Sequence, residues 1–430
     1  MAMVVKNNMS AISTLNTLNK NSSALSKSLQ KVSSGMKING AADDASGYAI
    51  SERMRVQIRG LDQANQNTQN GSSMMKVAEG AVSSTVDILK TLKEKVINAA
   101  NDTNTDADRQ TIQKELDQSI DQINDNANVT YNGKYLVDGS HNSSVTATTT
   151  SMTNQSLNTA TAFDSTFNKL TDRNGNSLNI QSSDTITFSY VKEGKTTTVS
   201  VSGASKISDL INQVSTDIIA GTADSVIGKD VAGDTVFTAD GQSALTLKAN
   251  GTGIESQISG ITFSVTDTKG NVKKSANALL DNFSESIRAQ NGSLDNSINL
   301  QVGTKSNQAI KVGLTDMRAE ALGLQAQNGT TLNISTKEYA NAAINVLDNA
   351  VQKALDQQTT IGAVQSRLEY TSSNLTTASE NVQASESTIR DADMAKEMTN
   401  YTKNNVLMQA AQAMLSQANQ SSSSVLSLLQ

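Results

Sequence analysis

The 430 residues of this chain include no proline, no cysteine, no tryptophan and a single histidine. Average usage would place about 20 prolines in a chain of this length. Without them, no residue imposes a helix break and no X-Pro bond delays refolding. With no cysteine and only His141, thiol chemistry, metal binding and histidine-based catalysis are nearly excluded. We therefore expect no catalytic, cofactor or metal site of these kinds.

Charge and hydrophobicity argue against two further classes of function. The net charge of −6 and the scattered lysines and arginines argue against a surface for nucleic acid. No apolar run approaches the roughly 18 residues of a membrane-spanning helix, so membrane insertion is not expected. The first residues show neither a sustained apolar core nor a small-residue cleavage site. These observations predict either cytoplasmic residence or secretion without a cleaved signal peptide.

Two long heptad rows, one toward each end of the chain, are the clearest positive signal. A strict seven-residue period keeps one narrow apolar seam facing a partner helix. The rows therefore predict two long helices that pack on each other in an antiparallel coiled coil, and Ser335 with Glu338 predicts a capping box at the start of the second. The predicted seam comprises Met54, Leu61, Met75, Val82, Leu89 and Val96 in the first row, and Leu347, Ile361, Leu368, Leu375, Val382 and Ile389 in the second.

A separate amphipathic helix is predicted at each end of the chain. Glycines at 35 and 40 interrupt the first heptad pattern, and the last one changes register around Arg390 to Asp393. The adjacent Asp43 and Asp44 are interpreted as a helix start, because two aspartates supply too few ligands for a metal ion. The apolar rows of these outer helices contain Leu15, Leu18, Leu25, Leu29, Val32, Met394, Met398, Tyr401, Met408, Leu415, Val425 and Leu429.

The sequence changes character near Gly139, where serine and threonine become dense and apolar residues alternate. Alternating runs on either side of Glu193-Gly194 predict a β-hairpin, and the segment from 205 to 218 predicts a helix. A further strand pair is predicted from Ile298 to Leu314, with its turn at Gly303 to Asn307.

These elements predict an α+β multidomain fold, in which a helical rod built from both ends of the chain carries an inserted, mostly β outer domain. Three domains are expected. Residues 1–40 with 397–430 form a terminal helical domain, residues 41–139 with 297–396 form a rod domain that includes the hairpin at 297–315, and residues 140–296 form a variable β-rich domain.

Several short motifs stand toward the two ends of the chain. They are Leu29-Gln-Lys-Val-Ser-Ser-Gly-Met-Lys-Ile-Asn39, Asp43-Asp-Ala-Ser-Gly47, Arg59-Gly-Leu61 and Ala78-Glu-Gly-Ala81 on the amino side, and Ile389-Arg-Asp-Ala-Asp-Met-Ala395, Gln409-Ala410, Ser416-Gln-Ala-Asn419 and Val425-Leu-Ser-Leu-Leu429 on the carboxyl side. Together these motifs resemble those of bacterial flagellin. The serines from Ser421 to Ser424 depart from that pattern, since many members have glutamine and proline there.

The resemblance implies a structural subunit of the flagellar filament, used for swimming motility and located outside the cell. It implies export as an unfolded chain by the flagellar secretion system, and self-assembly into a helical homopolymer under a filament cap. The implied partners are an export chaperone, the cap, hook-filament junction proteins and further copies of the chain. The outer helical rows would line the inner tube of the filament. A hook-filament junction protein is the alternative, since such proteins share similar ends.

Flagellins are also ligands of a host Toll-like receptor, and the resemblance places the receptor-facing patch on the first long helix and the helix after it. Strong agonists of this family carry arginine where this chain has Thr91 and leucine where it has Lys95. We therefore expect weakened recognition, because a bidentate donor and an apolar contact are missing. The patch comprises Leu89, Thr91, Lys93, Glu94, Lys95 and Glu115.

Overall fold

The computed structural model describes residues 8–428, except for the side chains of residue 222 and residues 422–428. Long helices occupy both ends of the described chain and strands occupy its middle, so the predicted α+β class is confirmed. The helices are α1 Met9–Ser34, α2 Ala45–Ala99, α3 Asp106–Ala127, α4 Ile207–Gln213, α5 Lys274–Leu280, α6 Ala319–Leu322, α7 Lys337–Arg390 and α8 Met394–Leu428.

The strands lie between α3 and α6. They are β1 Thr130–Tyr131, β2 Lys134–Tyr135, β3 Ser151–Asn154, β4 Thr185–Lys192, β5 Lys195–Ser202, β6 Ile218–Asp224, β7 Val226–Lys229, β8 Thr235–Phe237, β9 Ala244–Ala249, β10 Ile258–Thr266, β11 Phe283–Ile287, β12 Ile298–Gln301 and β13 Ala309–Val312.

The internal contacts divide the chain into two compact units. The first contains the residues up to Asn67, the segment Val302–Gln308 and the residues from Tyr370 onward. The second contains Thr68–Gln301 and Ala309–Glu369. These boundaries differ from the three domains expected from the sequence, and that division stays a prediction.

In the first unit, α2 and α7 pack on each other through a small apolar cluster. Leu61 and Leu375 are buried there, and Val382 packs against them. Beside the cluster, the Asn65 side chain accepts a hydrogen bond from Ser372 Oγ at 2.7 Å. At the outer end of the predicted seam, Met54 and Ile389 are only half-buried.

In the second unit, the same two helices bury the remaining seam residues completely. The Gln365 side chain of α7 donates to Glu79 Oε2 of α2 at 2.7 Å, and Lys93 of α2 pairs with Asp348 of α7. Higher numbers on one helix therefore face lower numbers on the other, so the packing is antiparallel. The seam residues with no exposed surface are Met75, Val82, Leu89, Val96, Leu347, Ile361 and Leu368.

The ends of these helices are closed by side chains that bond to the main chain. Arg109 of α3 donates from Nε to the Ala99 carbonyl at 2.9 Å, which satisfies one of the free carbonyls at the end of α2. At the start of α7, the Thr336 hydroxyl accepts from the Tyr339 amide at 3.2 Å. The predicted cap at Ser335 is therefore wrong by one residue, because serine and threonine are both preferred N-cap residues and stand side by side in the sequence.

The β-rich insert folds around two sheets with strand orders β10-β4-β5 and β11-β3-β9-β6. The predicted hairpin is confirmed: β4 pairs with β5 through a two-residue turn in which Glu193 and Gly194 have φ of 50° and 69°. Phe188 and Phe263 lie at the centre of the core, with ring centroids 4.8 Å apart. The helix predicted from 205 to 218 is shorter, and spans only α4, since β6 begins at Ile218.

Strand β10 attaches the insert to α7 within the second unit. The side-chain Nδ2 of Asn345 donates to the Ile261 carbonyl at 2.8 Å, and the side-chain Nδ2 of Asn349 donates to the Ser259 carbonyl at 2.8 Å. Asparagines four residues apart lie on one face of a helix, so both reach the same strand edge. Gly260 lies between the two carbonyls, and a Cβ there would come within 3.0 Å of the Val346 main-chain nitrogen. Only glycine permits this approach without a shift.

Asp281 is a half-buried acid at the end of α5, where its Oδ1 accepts a hydrogen bond from the main-chain amide of Phe263 in β10. Burial raises the pKa of the Asp281 carboxyl from 3.8 to about 6, although the Phe263 hydrogen bond opposes this. Folding is therefore penalised by ionisation of Asp281. The penalty is absent below pH 3.8 and complete above about pH 6.

We expect Asp281→Asn to stabilise the insert at pH 8 by up to about 3 kcal/mol, and to have little effect near pH 3.5. The asparagine Oδ1 can still accept the Phe263 hydrogen bond but carries no charge. Urea unfolding, followed by amide exchange in a peptide that covers β10, measures the difference at matched pH. The control is Asp234→Asn, at an exposed position. Equal stability of D281N and the parent at pH 8 would contradict the assignment.

We also expect the double variant Asn345→Ala, Asn349→Ala to loosen the attachment of β10 to α7. The Ile261 and Ser259 carbonyls would lose their partners, at a cost of about 1–3 kcal/mol each when they stay buried. Hydrogen exchange of the main-chain amides should rise together in β10 and in the part of α7 around residues 345–349. Asn341→Ala is the matched control, because Asn341 lies one turn earlier on the same helix and is exposed. If the control and the double variant exchange alike, these hydrogen bonds do not hold the strand.

Candidate subunit interface

The terminal helices α1 and α8 pack side by side in the first unit. Asn8 Nδ2 donates to the Ala418 carbonyl at 3.1 Å, and Asn404 Nδ2 donates to Ser28 Oγ at 3.0 Å. Since the early part of α1 meets the late part of α8, the pair is antiparallel.

Local signals fix the ends of both helices. The Asn8 side chain caps α1 by accepting from the Ala11 amide at 3.0 Å, and Gly35 ends the helix with a φ of 71°. At the start of α8, Asp393 Oδ1 accepts from the amides of Ala395 and Lys396 at 3.0 and 3.2 Å. Asp44 plays the same part for α2, as the sequence predicted, with its Oδ1 3.0 Å from two main-chain amides.

The two breaks predicted at Gly35–Gly40 and Arg390–Asp393 meet in a single joint. The Lys37 amide donates to the Arg390 carbonyl at 2.7 Å, and the Ala392 amide donates to the Gly35 carbonyl at 2.9 Å. Main-chain hydrogen bonds therefore hold together the segment that joins α1 to α2 and the segment that joins α7 to α8.

Arg390 fastens this joint to α2. Its guanidinium donates to Glu52 Oε1 at 2.7 Å and lies 5.6 Å from the centre of the Tyr48 ring. The hydrogen bond from Arg390 holds the pKa of the Glu52 carboxyl below its usual value. The Arg390 side chain is only 7% exposed, so its position is set by these partners.

Alone, the α1–α8 pair leaves much of its apolar surface exposed. Among the described side chains of these two helices, nine large apolar ones are at least 41% exposed. An exposed apolar surface of this extent is unusual on a soluble monomer. At half burial each holds roughly 1 kcal/mol of unused hydrophobic free energy, or on the order of 10 kcal/mol together. The nine are Met9, Ile12, Leu15, Leu29, Met394, Met398, Val406, Leu407 and Met414.

The residues predicted for the apolar rows of the outer helices fall into an exposed group and a half-buried group, apart from two whose side chains are not described. Four of them, Leu15, Leu29, Met394 and Met398, are among the exposed nine. Val425 lies in α8 with its side chain outside the described part, and Leu429 lies outside the described residues. The half-buried group comprises Leu18, Leu25, Val32, Tyr401, Met408 and Leu415.

Sequence reasoning missed five exposed positions: Met9, Ile12, Val406, Leu407 and Met414. A heptad row selects one side of a helix, and a second apolar side falls outside it. The signal that could have found them is the width of the apolar face, since Val406, Leu407 and Met408 are consecutive.

The predicted receptor-facing patch is only partly accessible. Leu89 belongs to the buried seam and has no exposed surface, so its place in that patch is corrected. Lys95 Nζ pairs with Glu115 Oε1 at 3.0 Å, and Lys93 pairs with Asp348. Thr91 and Glu94 are exposed. Of the four charged side chains in the patch, Lys93, Lys95 and Glu115 are therefore already engaged in ion pairs within the chain.

Other kinds of site are not found in the described part of the chain. Across residues 8–428, histidine, aspartate and glutamate do not gather in groups of three that could hold a metal ion. Over the same range, each helix is too short or too polar to cross a membrane.

Comparison with known proteins identifies the family to which this chain belongs. The model of the bacterial flagellin N-terminal helical region matches residues 5–142, and that of the C-terminal helical region matches residues 344–429. A flagellin of Clostridium tyrobutyricum is 36% identical over 97% of this chain and 99% of its own length. A flagellin of Bacillus subtilis is 31% identical over 99% of this chain and its full length. A flagellar filament core protein of Treponema phagedenis is 30% identical over the same shares. The chain therefore belongs to the bacterial flagellin family and is a structural protein of the flagellar filament.

Proposed function

We propose that this chain polymerises into the helical flagellar filament through the exposed apolar faces of α1 and α8. The observation that carries the proposal is the large apolar surface that the α1–α8 pair leaves exposed. Burial of that surface against further copies would release the hydrophobic free energy that the single chain cannot use. The relatives that match the whole chain are filament proteins, which favours this function over that of a hook-filament junction protein.

The geometry of such an assembly follows from the need to keep growing. A contact that uses the same patch on both partners closes into a dimer, whereas two different patches can repeat into an open helix. Two patches are available on the terminal pair, because exposed apolar residues occur on both helices, with Ile12 on α1 and Val406 on α8. One subunit's α1 face would therefore contact another subunit's α8 face.

Within the filament, we assign residues 1–40 with 397–430 to the inner tube. Residues 41–139 with 297–396 would form the surrounding rod layer, and residues 140–296 the outermost layer. The terminal helices would gain most of their stability on assembly, since their apolar residues are half-buried or exposed in a single chain.

Export as an unfolded chain accounts for the composition. A chain without cysteine or proline refolds with no disulfide exchange and no prolyl isomerisation, which are slow steps of seconds to hours. The outer helices, whose apolar side chains are exposed before assembly, suit an export chaperone and the filament cap as partners. Folding would then be completed outside the cell, at the growing end.

Recognition by a host Toll-like receptor is the second proposed interaction, in a weakened form. The exposed Thr91 offers one hydroxyl, which already bonds to the Asp87 carbonyl at 3.0 Å, and Lys95 is paired with Glu115. A receptor would have to break that ion pair or bind around it. Both features reduce the contacts available to a partner.

We expect Val406→Asp to abolish polymerisation while the chain remains folded. Val406 is 58% exposed, so aspartate costs little in the single subunit, but it would place a charge in the packed interface. Electron microscopy and sedimentation after induced polymerisation provide the measurement, with circular dichroism as the check on folding. Gln412→Asp on the same helix is the charge-matched control, at an exposed polar position. Normal filaments from V406D would contradict the proposed interface.

We expect the double variant Thr91→Arg, Lys95→Leu to increase receptor activation about 10-fold to 100-fold. The arginine adds a charge-assisted hydrogen bond, worth about 1.5–3 kcal/mol, and the leucine adds an apolar contact. A cell-based receptor reporter, given monomeric protein at several concentrations, measures the change. Lys90→Leu is the control, since Lys90 is an exposed lysine on the same helix but outside the patch. Equal potency of the parent and the double variant would remove the proposed weakening.

A further inference from the structure

A polar cleft of about 220 Å³ lies in the second unit, where the chain enters and leaves the β-rich insert. Its walls come from residues 138–142 on the way in, residues 289–293 on the way out, the segment after β13, and α7. At about 30 Å³ for each water molecule, the cleft has room for roughly seven waters.

Lys353 of α7 forms one wall, although lysine is rarely buried without a charged partner. The side chain is only 6% exposed. Its Nζ donates to the Ala321 carbonyl. Burial lowers the pKa of the Lys353 ammonium and the negative charge of Glu285 opposes this, although no hydrogen bond joins these two side chains in the described part of the chain. An ammonium has three N–H donors, so two of them have no protein acceptor.

Asn142 supplies an unpaired acceptor in the same cleft. Its Oδ1 is buried and has no hydrogen-bond partner among the described residues. Buried polar atoms are nearly always paired, so a donor from outside the protein is expected at this oxygen. The cleft thus presents unpaired donors on one wall and an unpaired acceptor on another.

The remaining charges of the cleft are balanced. Its ionisable residues are Asp138, Asp316, Arg318 and Lys353, which carry two charges of each sign. Arg318 is bonded to both oxygens of Asp316, at 2.6 Å for the closest pair, and Asp138 accepts from Ser140. A charged ligand would therefore bring an uncompensated charge into the cleft.

Hydroxyl groups fit this arrangement, because each can both donate and accept without bringing a charge. Ile254, which is half-buried, adds an apolar surface against which the C–H face of a ring could pack. From these features we infer that the cleft binds a neutral polyhydroxyl molecule of about monosaccharide size. This site is independent of the contacts proposed for filament assembly.

Ligand-observed saturation-transfer NMR on the full-length chain tests the inference. The probes are D-glucose, D-galactose and N-acetyl-D-glucosamine, each at about 10 mM, since a ligand of about 12 non-hydrogen atoms is expected to bind with roughly millimolar affinity. At least one probe should receive saturation from the protein. D-glucuronate, which has a similar size but a negative charge, should bind more weakly than D-glucose.

Asn142→Ala and Lys353→Met assign any binding to the cleft. Asn142→Ala removes an oxygen with no partner in the chain, so folding should be preserved while affinity for the probe falls about tenfold. Lys353→Met should abolish binding, and if that variant fails to fold, Asn142→Ala alone decides. Asn212→Ala is the control, at an exposed position of α4 that does not line the cleft, and should bind as the parent does.

Three results would overturn the inference. One is the absence of saturation transfer to all three neutral probes, which would leave only ordered water in the cleft. Another is unchanged binding in Asn142→Ala, which would place the sugar elsewhere. The third is tighter binding of D-glucuronate than of D-glucose, which would mean that the site selects an anion.

Discussion

Burial of one aliphatic residue at every seventh position of α2 and α7 is the interaction on which the rest of the structure depends. Between Met75 and Val96, and again between Leu347 and Leu368, these positions have no exposed surface. The two helices are 55 and 54 residues long, and most of the stability of a helix in a protein comes from packing of its apolar face rather than from propensity. The seam supplies that packing, and it gives β10 and α3 a rigid surface on which to pack.

The outer helices α1 and α8 differ from α2 and α7 in how much of their apolar surface is buried within one chain. The seam of α2 and α7 is completed within one molecule, whereas α1 and α8 bury little of the apolar surface that they carry. Association of proteins costs about 4–15 kcal/mol, so the unused surface of the α1–α8 pair is of the right size to drive assembly. A joint held by main-chain hydrogen bonds and by Arg390 separates the two kinds of helix, and polymerisation need not disturb the seam.

Apolar burial stabilises the helices, whereas polar side chains fix where one element lies against another. Asn345 and Asn349 hold the edge of β10 against α7, and they do so with neutral side chains, which avoids the cost of burying charge. Where a charge is half-buried, as at Asp281, or buried, as at Lys353, the structure carries a penalty. At Asp281 this penalty makes stability depend on pH. At Lys353 the penalty occurs beside an open cleft, where a ligand would supply further hydrogen-bond partners.

The sequence by itself determined the α+β class, the two long helices, their breaks and the hairpin at Glu193-Gly194, because each has a local periodic or turn signal. Tertiary structure decided which apolar residues remain exposed: on the same helix Leu18 is half-buried and Leu15 is exposed, because exposure depends on the neighbouring helix. It also decided that Leu89 is buried rather than receptor-facing. The cleft beside Lys353 has no local signal at all, because its walls come from segments more than 200 residues apart along the chain and meet only through packing.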